Sequence, residues 1–187
     1  ITPRENLDVN EYWMPDAARL VYSTYNENRA SGAMVDGRAT DWDSAYEAAA
    51  SALKGATNAF FLGSPFATVE DNYLLARLAE AVGAEAPRYI ARREEGSGDG
   101  WLVSDDAAPN TEGVERLGFA AVDGALIGSQ IAAADVVYIL HDDPFAAGVL
   151  ASGDLSGPTV ILHPTHTTNE TLPHADIVLP ITMSVET

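Results

Sequence analysis

The chain has 187 residues, 47% of them hydrophobic, no cysteine, and a formal net charge of −18 from 28 carboxylates against ten cations. That length and apolar content suit one folded domain with a substantial core, while the missing cysteines exclude disulfides, thiolate zinc sites, cysteine-ligated iron–sulfur clusters and cysteine nucleophiles within it. The charge argues against nucleic acid and anionic membranes as partners: phosphate binding needs clustered Lys and Arg, and the cations are one lysine, Lys54, and nine arginines. No apolar run approaches the ~20 residues of a membrane span, so no direct membrane insertion is expected, and no basic-then-apolar leader opens the chain. An excess of carboxylates with almost no lysine is expected of a protein adapted to high salt, where screening removes self-repulsion; an ordinary acidic protein is the alternative. Beginning at Ile1 without Met and stopping at Thr187 just after an apolar strand, the sequence reads as an excised piece of a longer protein.

Taken in order, Pro15 suits a helix start over 16–25, with Leu20, Tyr22 and Tyr25 as packing residues. The pair Tyr12-Trp13 needs cover, and 32–40 reads as a loop. Asp41 or Asp43 caps an alanine-rich helix over 45–54 that Gly55 ends. Residues 58–62 (NAFFL) form a buried strand, Gly63-Ser64-Pro65 a tight turn, and 68–82 a helix in which Leu74, Leu75, Leu78 and Val82 recur at helical spacing. Residues 88–91 read as a short strand, 101–103 as a further short strand or a packed loop, 92–100 as a solvated loop, 104–113 as turn-rich, and 124–133 as a helix.

The last third carries the clearest pattern. The runs 136–140 (VVYIL), 159–162 (TVIL) and 177–179 (IVL) are continuous and apolar, and each ends at a polar or proline break. Such runs are strands covered on both faces, and the segments between them suit crossovers, which predicts an α/β, three-layer fold with a mainly parallel sheet. Ligands of such sheets sit outside the carboxyl ends of the strands. Gly63, Ser64, Asp142, Asp143 and His163 are therefore the crevice candidates. The Gly-Ser turn and a helix N-terminus would admit an anion there. Glu70-Asp71 in the first helical turn and Asp142-Asp143 opposite would repel one, and no Lys or Arg follows these strand ends, so water or a cation is the expected content.

The histidines, His141, His163, His166 and His174, cluster in the same third. With Asp142, Asp143 and Asp176 they form the residue set of a zinc, manganese or iron site. A proline inside His163-x-x-His166 removes the assurance of helical geometry, and turn histidines at strand ends are the competing account, so no metal is assigned. A serine hydrolase is disfavoured: there is no GxSxG, and Pro65 stands where an oxyanion-hole N–H is wanted. The acidic pairs Asp105-Asp106 and Asp142-Asp143 read as solvated turns, and no catalytic residue is assigned.

Several stretches carry a family resemblance. Residues 8–19 (DVNEYWMPDAAR) resemble the DVNxYWMCDxGR segment of the large iron–sulfur subunit of NADH:quinone oxidoreductase, respiratory complex I, which there leads into a molybdopterin-oxidoreductase-like domain. Asp41-Trp42-Asp43-Ser44-Ala45 resembles that superfamily's tryptophan-led helix start, Gly63-Ser64 with 70–73 its strand–Gly-Ser–helix unit, and 109–113 (PNTEG) a PNxxG turn of complex I subunits. His163-Pro164-Thr165, Thr171, 175–180 (ADIVLP) and Glu186 resemble its closing pattern. The resemblance implies one Rossmann-like, molybdopterin-oxidoreductase-type domain over 1–187, with 1–40 as a docking segment and 41–187 as the core. It also implies partners among the other subunits of a respiratory NADH dehydrogenase, a cytoplasmic place peripheral to the inner membrane, and iron–sulfur clusters in the parent subunit outside this fragment. Pro15 replaces the family's cysteine, and Asp142-Asp143-Pro144 replaces an Asn-Pro, so the implied role is a cofactor-free scaffold. The alternatives are a pterin- or nucleotide-binding oxidoreductase domain and a metal-dependent hydrolase built on the histidines.

Overall fold

The computed structural model describes the chain apart from residues 1, 9, 15, 21, 23, 24, 102, 123, 125, 152, 184, 185 and 187, so Pro15 and Leu102 lie outside the described residues. The first helix, α1 (Asp16–Leu20), is shorter than the expected run to Tyr25, and Leu20 and Tyr22 are exposed instead of packed. A helix of little more than one turn whose described apolar side chain is exposed gains little burial to offset its nucleation cost. The expected loop over 32–40 is a hairpin, β1 (Met34–Val35) and β2 (Arg38–Ala39), closed by Asp36 and Gly37. Both turn residues have positive φ, 48° and 71°, as the tight two-residue hairpin turn requires.

Asp41 caps α2 (Trp42–Gly55): its carboxylate accepts the Ser44 N–H at 2.9 Å, and the helix buries Ala45, Ala49 and Leu53. After β3 (Ala59–Gly63), Thr68 caps α3 (Val69–Ala81), which buries Asn72, Leu75 and Ala79 and leaves Leu74 exposed. Then come β4 (Arg88–Tyr89), α4 (Thr111–Arg116), which begins inside the expected turn-rich stretch and runs past it, β5 (Ala120–Ala121), and α5 (Ile127–Ala132). Of the two readings of 101–103, the strand has no counterpart among the described residues, and Trp101 and Val103 are exposed, which does not suit a packed loop either. The closing strands are β6 (Val136–Leu140), β7 (Thr159–His163) and β8 (Ile177–Val178).

Among the described residues eight strands form one sheet in the order β2-β1-β8-β7-β6-β3-β4-β5; β3 to β8 run parallel to one another, and β1 and β2 add antiparallel at the β8 edge. After laying down the edge hairpin β1–β2, the chain enters the centre at β3, steps outward through β4 and β5, returns to β6 beside β3, and steps outward the other way until β8 meets β1. The two faces alternate along each strand. Phe61, Val136, Leu140, Ile161 and Ile177 pack under α2, α3 and α4, while Leu62, Val137, Ile139, Val160 and Leu162 pack under α5 and the turns carrying Leu150 and Leu155. Two aspartates fasten the amino ends: Asp135 accepts the Thr57 and Asn58 N–H groups, and Asp176 accepts that of Val160. Among the described residues no helix is long and apolar enough to cross a membrane.

Candidate functional site

Strand order reverses between β3 and β6, so the loops leaving their carboxyl ends diverge and open a cleft. On the β3 side the turn is held from below by Asn72, which is completely buried. Its Oδ1 accepts the Ser64 N–H at 3.1 Å, and its Nδ2 donates to the Ser64 and Thr68 carbonyls, both at 2.9 Å. Gly63 is required by this close approach: a Cβ there would lie 2.4 Å from the Phe119 ring and 2.7 Å from Asn72 Oδ1. Ser64 is buried, and its hydroxyl accepts the Phe66 N–H. At the start of α3, Thr68 Oγ1 accepts the Asp71 N–H and donates to the Asp71 carboxylate, so part of the helix terminus is already satisfied and carries a negative charge.

On the β6 side the structure corrects two expectations. Asp142 is not a solvated carboxylate: its side chain is 1% exposed, and its Oδ1 accepts from Arg92 Nη2 at 2.5 Å and from the Asp143 N–H at 2.7 Å. Asp143 turns into the protein, accepting the Thr171 hydroxyl at 2.8 Å, the Glu170 N–H at 2.6 Å and the Ala146 N–H at 3.2 Å. Burial pushes the Asp142 carboxyl above the usual carboxylate range, opposed by the Arg92 charge, the Asp143 N–H and the Ser64 hydroxyl. Arg92 is the cation that the ends of β3, β6 and β7 lack in sequence. It follows β4, and because β3 lies between β4 and β6 its guanidinium crosses the end of β3 to reach Asp142. The Phe66 ring lies 5.7 Å from that guanidinium.

The histidines are scattered. His163 leaves the crevice group: on alternating strand positions it follows Ile161 to the α3 face, where its Nε2 meets Tyr138 Oη at 2.7 Å and burial lowers its pKa to about 4. His174 stacks on Phe145 at 4.5 Å. His141 and His166 line the cleft. His141 adopts the left-handed conformation, φ 50°, and burial lowers its pKa, opposed by the charge of Asp71. His166 Nδ1 meets Thr165 Oγ1 at 2.8 Å. Among the described residues no group of three His, Asp or Glu side chains is placed to hold a metal ion.

The cleft has a volume of about 370 Å³ and is lined by Phe66, Arg92, His141, Asp142, Asp143, His166 and Asn169, with Pro164, Thr165, Thr168 and Met183. Beside it, Arg29 pairs with Glu186 at 2.6 Å and its backbone bridges to His166. Among the described residues, the buried polar side-chain atoms without a protein partner are Arg29 Nη1, Arg92 Nε, Asp142 Oδ2 and His166 Nε2, all in or beside this cleft. Ordered water commonly satisfies such atoms. Each arginine here already faces a carboxylate, so the cleft has no surplus positive charge to offer a phosphate. Sequence reasoning gave Arg92, Asn72 and Thr171 no role in the site; those of Arg92 and Thr171 depend on which strands lie side by side, whereas Asn72 acts within its own β3–α3 turn.

Comparison with protein-family models and with curated proteins returns no match.

Proposed function

We propose that the chain is a domain of the large peripheral-arm subunit of a complex I-like NADH dehydrogenase, in which it is a scaffold and interface with no cofactor of its own. Its parent subunit carries iron–sulfur clusters elsewhere, and the assembly is cytoplasmic and peripheral to the inner membrane. The sequence resemblance motivates this reading. The strand winding agrees with it, since β5-β4-β3-β6-β7-β8 runs in the order of a Rossmann-like domain. One observation carries the cofactor-free part: the Arg92–Asp142 ion pair lies across the switch point, where a dinucleotide's phosphates would sit, and neutralises the nearest cation. Tagging the parent protein in its host and purifying it at high salt tests the assignment. NADH-oxidising activity and iron should co-elute with the tag; a parent that elutes alone, with neither, contradicts it.

The second reading, a pterin- or nucleotide-binding domain, draws support from the unpartnered polar atoms at the same cleft. The histidine hydrolase reading has no such support, because the four rings occupy three different surroundings.

A further inference from the structure

Two turns far apart in sequence present aromatic rings to each other at the surface. In the first, Asn6 and Glu11 exchange backbone hydrogen bonds at 2.8 and 2.7 Å, Glu11 takes a positive φ of 48°, and Asn10 Nδ2 holds the Trp13 carbonyl at 3.1 Å. This geometry projects Tyr12 and Trp13. In the second, Glu94 donates to the Asp105 carbonyl, and Asp99 accepts the Trp101 and Val103 N–H groups, which projects Trp101. The Trp13 and Trp101 rings meet edge to face at 5.9 Å, and Tyr12 lies 5.3 Å from Trp13. Despite these contacts Tyr12, Trp13 and Trp101 remain 59%, 45% and 68% exposed.

Held rings with open faces are the side chains that dominate protein interfaces. The surrounding charge selects the partner. Segments 2–16 and 93–106 carry nine carboxylates against two arginines, Arg4 and Arg93. Among the carboxylates Glu5, Asp8, Glu11, Glu94 and Glu95 are exposed. Indole faces bordered by carboxylates attract a guanidinium twice over, through the ring quadrupole and through the flanking charge.

We infer that the Tyr12–Trp13–Trp101 patch is the docking surface for an arginine-bearing segment of a protein partner. This rests on the scaffold reading and names the chemistry of one of its interfaces. The probe is a ten-residue peptide alternating Arg and Ala, titrated by calorimetry into the chain in 1 M KCl, where a Debye length of ~3 Å suppresses attraction to the acidic surface at large. Saturable binding is expected, weakened at least about tenfold in Trp13→Ala and Trp101→Ala, weaker for the Lys peptide, absent for the Glu peptide, and unchanged in Trp42→Ala, a control at an exposed tryptophan on α2. Absence of Arg-peptide binding, equal affinity of the tryptophan variants, preference for the Glu peptide, or a Trp101-dependent dimer of the chain in sedimentation would each overturn the inference. None of these results bears on whether NADH oxidation co-elutes with the parent, so the two failures are distinguishable.

Discussion

Replacing Asn72 with alanine should be the most damaging single change near the cleft. The amide makes three hydrogen bonds from a fully buried position. Two of the acceptors keep another partner: the Ser64 carbonyl still receives the Ala67 N–H at 3.1 Å, and the Thr68 carbonyl still receives the Asn72 N–H at 3.2 Å. The Ser64 N–H has no such reserve and is orphaned in the interior. The two lost bonds to carbonyls at about 1 kcal/mol each, together with the buried unpaired Ser64 donor at about 1–3, put the cost at about 3–5 kcal/mol, a large share of a domain's ~5–15. Asn72→Asp should not rescue it, because a carboxylate keeps the acceptor for Ser64 but faces two carbonyls where the amide donated. Urea unfolding of both variants in concentrated KCl, with the denaturant slope unchanged, measures this. A loss below about 1 kcal/mol for Asn72→Ala would refute the claim that this amide holds the β3–α3 turn.

Gly63→Ala should cost about 1–3 kcal/mol by overpacking, since its Cβ would meet the Phe119 ring at 2.4 Å; a thermal melt equal to wild type would contradict that close approach. His163 is held neutral in the fold with a pKa of about 4, against the ordinary histidine value of 6.5. The unfolded chain therefore takes up the proton first, and stability is complete above about pH 6.5 and lost as pH falls toward 4. The ring keeps partial solvent contact, which discounts the loss to about 2 kcal/mol. His163→Gln should flatten that part of the stability–pH curve, and an unaltered curve would count against it. The melting temperature should climb as KCl rises from 0.1 to 1 M and the Debye length shrinks from ~10 to ~3 Å; a flat or falling midpoint would argue against self-repulsion among the 28 carboxylates.

The sheet's centre was readable because strands covered on both faces need apolar residues at every position, as 136–140 and 159–162 have. The outer strands have two residues each, too few for any period, and β5 is a pair of alanines. The Asp36-Gly37 dipeptide does signal the first hairpin, and alternation from Ile161 does place His163 away from the cleft, so both could have been read from the sequence. The Arg92–Asp142 pair could not, because fifty residues separate its members and only the order β4-β3-β6 brings them together. The anchoring of Asp143 likewise depends on Thr171 and Glu170 returning from beyond β7.

The central claim is that the switch-point cleft is closed to dinucleotides by its own ion pair. Calorimetric titration of GDP into the chain in concentrated KCl tests it most directly. No saturable heat is expected, because a phosphate there meets Asp71 at the start of α3 and an Arg92 already neutralised by Asp142. Micromolar binding that disappears in Ser64→Asp would contradict the claim and place a nucleotide in the cleft.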